Sequence, residues 1–201
     1  MSIARHLTPA LFAPAAALLL SACGLNSVPT AEEAAKARWA DVQNEYQRRA
    51  DLVPNLVNTV KGYAKQESGV LIAVTQARAD AGKVQLSADD LDDPAKVRAF
   101  NDAQSRLTQA IIPLQRLQEA YPDLKSNQNF LTLQSQIEGT ENSILVARRD
   151  YNEAVQSYNT RIRTFPDAIG AKIFYGAKPK VPFEAATGAQ EAPKVDFNAA
   201  G

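Results

Sequence analysis

Large apolar side chains recur every seven residues between positions 127 and 165 of this chain. They are Phe130, Ile137, Ile144, Tyr151, Tyr158 and Phe165. Residues seven apart lie on the same side of an α-helix, so the spacing predicts one long helix with a continuous apolar stripe. A helix of this length cannot bury such a stripe against itself, and the rest of the chain should therefore supply helices that cover it.

Two earlier segments repeat apolar residues at the three- and four-residue steps of an amphipathic helix. The first stripe comprises Trp39, Val42, Tyr46, Val53, Val57 and Val60. Pro54 interrupts this segment, where it lacks an N–H group and crowds the carbonyl four residues earlier. The second segment follows Asp93-Pro94, and Pro113 within it predicts a local kink. The sequence predicts an all-α fold, an elongated antiparallel bundle of three long helices, the first kinked or split at Pro54 to give four helical segments.

The ends of these helices carry their own signals. Thr30 and Glu33 have the spacing of a capping box, which predicts that the first helix begins at Thr30. Ser126 or Asn127 should cap the long helix that carries the seven-residue stripe. After position 166 we expect one short C-terminal helix packed over the bundle end, formed around Ile169, Ile173, Phe174 and Tyr175. The bundle should span residues 30–183, and residues 184–201, rich in Ala, Gly, Pro and charge, should be disordered.

The amino terminus resembles a bacterial lipoprotein signal. Arg5 precedes an apolar run that is too short for the roughly 20 residues of a membrane span. The run ends in Leu-Ser-Ala-Cys, with small residues where cleavage requires them, so we predict a signal peptide at 1–22, acylation at Cys23 and a tether at 23–29. The alternative is a buried structural cysteine beside an uncleaved anchor. Gly24 is not the Asp associated with inner-membrane retention, which favours the outer membrane facing the periplasm.

Composition excludes several functional classes. The single histidine is His6 and the single cysteine is Cys23. A chain trimmed at that cysteine has no imidazole for a Ser-His-Asp or Cys-His centre, and no His or Cys ligands for an ordinary zinc site. Basic and acidic residues balance at 22 each, so there is no net positive charge to gather nucleic acid. We therefore expect no cofactor, no metal and no nucleic-acid partner.

Several ordered blocks resemble the LemA family. They are QRRADLVPNLVNTVKGYAK at 47–65, YPDLK at 121–125, EGTEN at 138–142, ARRDYN at 147–152, YNTR at 158–161 and FP at 165–166. The resemblance covers about residues 37–183. It implies an all-helical bundle held at a bacterial envelope membrane, and it brings no catalytic residues. Many relatives carry an uncleaved transmembrane helix where this chain has a lipobox, and Pro113 falls where an uninterrupted helix is expected.

Six polar residues of the long helix predicted at 127–165, which we call the polar block, form the candidate partner-binding surface. They are Glu138, Glu141, Asn142, Arg148, Arg149 and Asn152. The two glutamates lie three apart and share a helical face, as in carboxylate metal sites, but a salt-bridge network with Arg148, Arg149 or Arg161 is the favoured interpretation.

Two arginines of the first helix allow two interpretations. Arg48 and Arg49 could grip lipid phosphates, whereas a solvated face that pairs Glu45 with Arg49 explains them more simply.

These features predict a non-enzymatic, lipid-anchored interaction or scaffold module of the cell envelope. Its partners would be membrane lipid, through acylated Cys23, and other envelope proteins. Two alternatives are an enzyme or enzyme subunit that uses Glu138, Glu141, Arg148 and Arg149, and an accessory protein that organises membranes.

Overall fold

The computed structural model describes the backbone of residues 8–184 and the side chains of residues 26–184. Its helices are α1 (Thr8–Tyr63), α2 (Ser68–Lys83), α3 (Pro94–Arg116), α4 (Pro122–Lys125), α5 (Gln128–Arg161) and α6 (Asp167–Gly170). A π-helical turn, Ala171–Tyr175, follows α6. Residues 8–184 contain no β-strand. The all-α prediction is therefore confirmed.

The long helices form a bundle organised around α1 and α5, which pack together over most of their lengths. They are antiparallel, since Trp39 lies beside Tyr151 whereas Arg49, further along α1, reaches back to Glu141. Helix α3 packs on α1, with Phe100 in edge contact with Trp39. Helix α2 packs on α3 and α1. The antiparallel bundle of long helices is therefore present.

The seven-residue stripe of α5 is the centre of this packing. Its buried members are Phe130, Ile137, Ile144, Tyr151 and Tyr158. Thr140 and Ala147, three positions after Ile137 and Ile144, are also buried and allow α1 to approach closely. Phe165 does not continue the stripe, because α5 ends at Arg161. Phe165 lies beyond the helix and is 83% exposed.

The predicted starts of α3 and α5 are confirmed. The Asp93 carboxylate accepts hydrogen bonds from the backbone N–H groups of Ala95 and Lys96, and Pro94 occupies the first helical position. Asn127 caps α5 through a 2.9 Å hydrogen bond from the N–H of Phe130. Both side chains satisfy amide groups that the helix itself leaves without partners.

The predicted beginning of the first helix is wrong, because α1 passes through Thr30 without interruption. Residues 23–29, expected to form a tether, lie within this helix. The Thr30 hydroxyl donates to the carbonyl of Asn26 one turn earlier, at 2.7 Å, as in a helix interior. Val28 and Ala31 are buried with Tyr158, so extending the helix lengthens the apolar contact with α5.

The sequence predicts a kink or a split at Pro54. Helix α1 is not split there, and the chain divides instead at residues 64–67, between α1 and α2. In a helix, residue 54 normally donates its N–H to the carbonyl of Ala50. Pro54 has no N–H, so this carbonyl lacks its usual partner. Arg78 of α2 supplies that partner, because its Nε donates to the Ala50 oxygen at 2.7 Å. The tertiary hydrogen bond replaces the missing helical one and lets α1 continue through the proline.

The segment after α5 differs from its prediction. Instead of one short helix packed by its large side chains, α6 and the π-helical turn bury Gly170 and Ala171. The large residues expected to pack inward are exposed: Ile169, Ile173, Phe174 and Tyr175. Gly176, at φ 54°, then redirects the chain, since this left-handed conformation suits a residue without a Cβ atom. Except for Glu184, the predicted disordered tail lies outside the described residues.

Candidate functional site

Glu141 is the member of the predicted polar block that reaches into the bundle. Its carboxylate accepts a 2.9 Å hydrogen bond from Arg49 Nη1. The Arg49 side chain is 1% exposed and that of Glu141 is 33% exposed, so a buried cation meets a carboxylate at the protein surface. The expectation that Arg49 lies on a solvated face beside Glu45 is therefore wrong.

Arg49 connects three helices through its two terminal nitrogens, Nη1 and Nη2. Nη1 also donates to the Thr108 hydroxyl at 2.7 Å, and Nη2 donates to the side-chain oxygen of Gln104 at 2.6 Å. The guanidinium carbon lies 5.0 Å from the centre of the Tyr46 ring, a cation–π distance. Burial raises the pKa of the Tyr46 phenol, which keeps it neutral beside the cation. These contacts join α1, α3 and α5 around one charge.

A sequence signal for this network exists in the apolar stripe of α1. Its buried members follow three- and four-residue steps: Trp39, Val42, Tyr46, Arg49, Val53, Leu56 and Val60. A basic residue at a position of that stripe predicts a buried charge that needs a partner. Gln104 gives the same signal on α3, since it lies between the buried residues Ala103 and Leu107.

Two other members of the polar block, Arg148 and Asn152, hold an extended segment that we call the strap, residues 180–184. The Asn152 amide donates to the Phe183 carbonyl at 2.9 Å and accepts from the Phe183 N–H at 2.8 Å. Arg148 donates to the Glu184 carbonyl at 2.9 Å, and its guanidinium lies 4.7 Å from the centre of the Phe183 ring. The Phe183 side chain is consequently fixed in the core beside Trp39.

Asn159, seven residues after Asn152, binds the other end of the strap in the same way. Its amide donates to the Lys180 carbonyl and accepts from the Lys180 N–H, both at 2.8 Å. The buried Lys180 ammonium pairs with Glu32 at 3.1 Å and lies 5.2 Å from the centre of the Tyr158 ring. Burial raises the pKa of the Tyr158 phenol to about 12, so the ring stays neutral under the cation.

The other three members of the predicted surface are exposed. Glu138 accepts a 3.2 Å hydrogen bond from Gln134, and Arg149 pairs with Asp150 at 2.9 Å. Asn142 lines an open groove between α1 and α5. The structure thus separates the six predicted residues into a half-buried group that bonds to the rest of the fold (Glu141, Arg148 and Asn152) and an exposed group (Glu138, Asn142 and Arg149).

The two glutamates of the block are directed differently and do not share a ligand site. Glu141 pairs with Arg49 rather than with the arginines expected from the sequence, whereas Glu138 faces solvent. Among residues 26–184, no three Asp, Glu, His or Cys side chains are close enough together to hold a metal ion.

The predicted acylation site lies on α1, five residues before the buried Val28. The Cys23 side chain is outside the described part of the chain, and its acylation stays a prediction. No helix among the described residues combines the length and apolar character needed to cross a membrane.

Comparison with known proteins identifies related chains. A model of the LemA family matches residues 38–197. The Protein LemA of Metamycoplasma hominis is 31% identical over 121 residues, which cover 60% of this chain and 51% of that protein. The aligned part of this chain therefore spans about half the length of that relative.

Proposed function

The chain belongs to the LemA family, and we propose that it is a lipid-anchored, non-enzymatic interaction module of the bacterial envelope. In this proposal acylated Cys23 holds the protein at the outer membrane facing the periplasm, and the outer face of α5 binds another envelope protein. The observation that carries the proposal is the Leu-Ser-Ala-Cys sequence at the end of a short apolar run.

The position of Cys23 within α1 determines how an anchor would connect to the bundle. A thioether-linked diacylglycerol and an N-linked acyl chain at this residue would hold the protein durably, because several acyl chains bind a bilayer far more strongly than one. Since α1 runs without a break from this position into the bundle, the anchor would be continuous with the folded body.

Lipid labelling tests the anchor. Cells fed an alkyne-bearing fatty acid should label the wild-type chain and fail to label Cys23→Ala, whose cleavage by the lipoprotein route should also stop. Gly24→Asp is the matched control, because it keeps the thiol and should retain the label while moving the protein to the inner-membrane fraction. Labelling of Cys23→Ala at the wild-type level would refute the anchor.

The outward face of α5 supports the binding role. Glu138, Asn142, Leu145 and Arg149 follow at steps of four, three and four residues, which places them in one row along the helix. All four are exposed, and the Leu145 side chain is 64% exposed. The adjacent Val146 is 49% exposed, so two neighbouring apolar side chains lie among polar and charged groups, a mixture found in protein-binding surfaces. Glu141, Arg148 and Asn152 hold the fold, which accounts for them without any chemistry.

Cross-linking in intact cells tests this face. A photo-reactive amino acid at position 145 should give a reproducible adduct with one envelope protein, identified by mass spectrometry, and Arg149→Glu should reduce it. The same amino acid at Ile72, which is 67% exposed on α2, is the matched control. Equal adducts from positions 145 and 72, or no adduct from either, would contradict the proposal.

A further inference from the structure

An exposed apolar surface follows α5, within residues 165–175. Its members are Phe165, Ile169, Ile173, Phe174 and Tyr175. Single exposed apolar residues are ordinary in folded proteins, but a cluster this dense marks a surface that contacts another apolar phase. We call these five residues the apolar tip.

The backbone orients the apolar tip outward. Small residues fill the inner side of this segment, where Ala171 packs with Val28, Ala31 and Tyr158. Gly170 is also buried, so the turn is seated on the bundle through its smallest residues. The side chains of Phe165, Ile169, Ile173 and Phe174 remain 53–83% exposed against the described part of the chain, so a partner outside the bundle could cover them.

The charges around the apolar tip favour an anionic partner. Residues 161–178 contain four basic residues and one acidic residue. Arg161 pairs with Asp167 at 3.9 Å and Lys178 pairs with Asp92 at 3.1 Å, so Arg163 and Lys172 carry the excess positive charge of this segment. Arg163 and Lys172 are exposed on either side of Ile169. Apolar and aromatic side chains mixed with Lys and Arg are typical of surfaces that enter the headgroup region of an anionic bilayer.

The apolar tip also lies at the end of the bundle from which the predicted anchor extends. Helix α6 contacts α1, and Val28 packs in the same cluster as Ala171. Cys23 precedes Val28 by five helical residues, about 7.5 Å of rise. Acyl chains on Cys23 would therefore bring a bilayer close to the apolar tip.

We propose that the apolar tip is a membrane-contact surface, whose side chains enter the headgroup region of a bilayer containing anionic phospholipid. The proposal rests on the anchoring part of the proposed function for the origin of membrane proximity. It adds a second contact, independent of acylation, that would orient the bundle on the bilayer.

Quenching of a single introduced tryptophan tests this contact. The full chain carrying Ile173→Trp is purified from membranes and reconstituted with vesicles of phosphatidylethanolamine and phosphatidylglycerol that bear brominated acyl chains. Ile72→Trp is the matched control, because the two isoleucines are 69% and 67% exposed and Ile72 lies on α2, which follows the other end of α1. The native Trp39 is 1% exposed and is common to both proteins.

Tryptophan at 173 should lose emission by a factor of about two relative to vesicles without bromine, and tryptophan at 72 should lose little. Quenching at 173 should weaken when phosphatidylglycerol is omitted or salt is raised, because the charge contribution is screened. Equal quenching at 173 and 72 overturns the membrane-contact surface. Emission at 173 that changes with protein concentration but not with brominated lipid also overturns it, and indicates a second copy of the chain as the partner.

Vesicle flotation separates this proposal from the anchor. Chains that float without selective quenching at 173 contradict the apolar tip and leave anchoring intact. Selective quenching in protein without detectable acylation contradicts the anchor and supports the apolar tip. Chains that neither float nor show quenching overturn both.

Discussion

At the scale of single residues, Arg49 places a positive charge inside the bundle. Three polar partners and one aromatic ring surround the guanidinium, and Glu141 is the partner that neutralises it. A buried cation is costly when its counter-ion is removed, because water cannot reach it to compensate. The Glu141 carboxylate, once separated, can still be hydrated at the surface.

Removing the Glu141 carboxylate should therefore destabilise the protein. We expect Glu141→Ala to lower the free energy of unfolding by about 3 kcal/mol, measured by urea denaturation followed by circular dichroism. Glu138→Ala is the control, three residues earlier on the same helix but exposed, and should change the free energy of unfolding by less than about 0.5 kcal/mol. Equal effects of the two substitutions would contradict an internal role for Glu141.

At the scale of whole elements, α1 depends on a contact from another helix. Its carbonyl at Ala50 lacks a helical donor because of Pro54, and Arg78 of α2 donates instead. The proline and the arginine are thus coupled, although they lie on different helices and do not bond to each other.

A double-mutant cycle measures that coupling. Arg78→Met should lower the free energy of unfolding by about 1–2 kcal/mol, because it leaves the Ala50 carbonyl without its donor. In a Pro54→Ala background the alanine N–H can bond that carbonyl, so Arg78→Met should cost less. Additive effects of the two substitutions in thermal or urea unfolding would show that the arginine does not compensate for the proline.

The strap is held by hydrogen bonds from α5, through Asn152 and Asn159. Removing one of these side chains should therefore loosen only the part of the strap that it binds. Asn152→Ala removes both hydrogen bonds to Phe183, so the amide proton of that residue should exchange with solvent at least about tenfold faster in hydrogen-exchange measurements. The Lys180 amide, held by Asn159, should change less. Asn142→Ala, an exposed change on the same helix, is the control. Uniform acceleration across α5 would indicate global destabilisation rather than release of the strap.

These elements show how far the sequence predicts the fold. The seven-residue stripe correctly places Ile137, Ile144 and Tyr151 in the core, because periodicity reports which side of a helix is buried. It does not reveal the strap, whose bonds join Asn152 to Phe183 across 31 residues and leave no local repeat. The break at Pro54 was expected from local chemistry, and a tertiary hydrogen bond from Arg78 overrides it.

The candidate site was predicted only in part, for the same reason. The polar block on α5 stays a predicted binding surface, and its division into half-buried and exposed members depends on which helix faces each residue. Sequence spacing alone cannot assign Glu141 to Arg49, a partner 92 residues away.

At the scale of the whole molecule, the packing of α5 against α1 is the main contact between helices. Ile144→Asp should lower the free energy of unfolding by about 3–5 kcal/mol, because it buries a carboxylate at a position that is 3% exposed. Leu145→Asp, at the next residue, is the control and should cost less than about 0.5 kcal/mol, since that side chain is 64% exposed. Urea denaturation of both proteins makes the comparison. An unaltered denaturation midpoint for Ile144→Asp would contradict the burial of the seven-residue stripe.

The uninterrupted course of α1 has a mechanical consequence. Between Cys23 and Tyr63 the chain rises through 40 helical residues, about 60 Å, and remains helical through Pro29 and Pro54. If the proposed lipid anchor at Cys23 is present, the Tyr63 end of the bundle would lie at a fixed distance above the lipid headgroups. A partner of this end would then meet it at one distance from the membrane, and helix length rather than a flexible linker would set that distance.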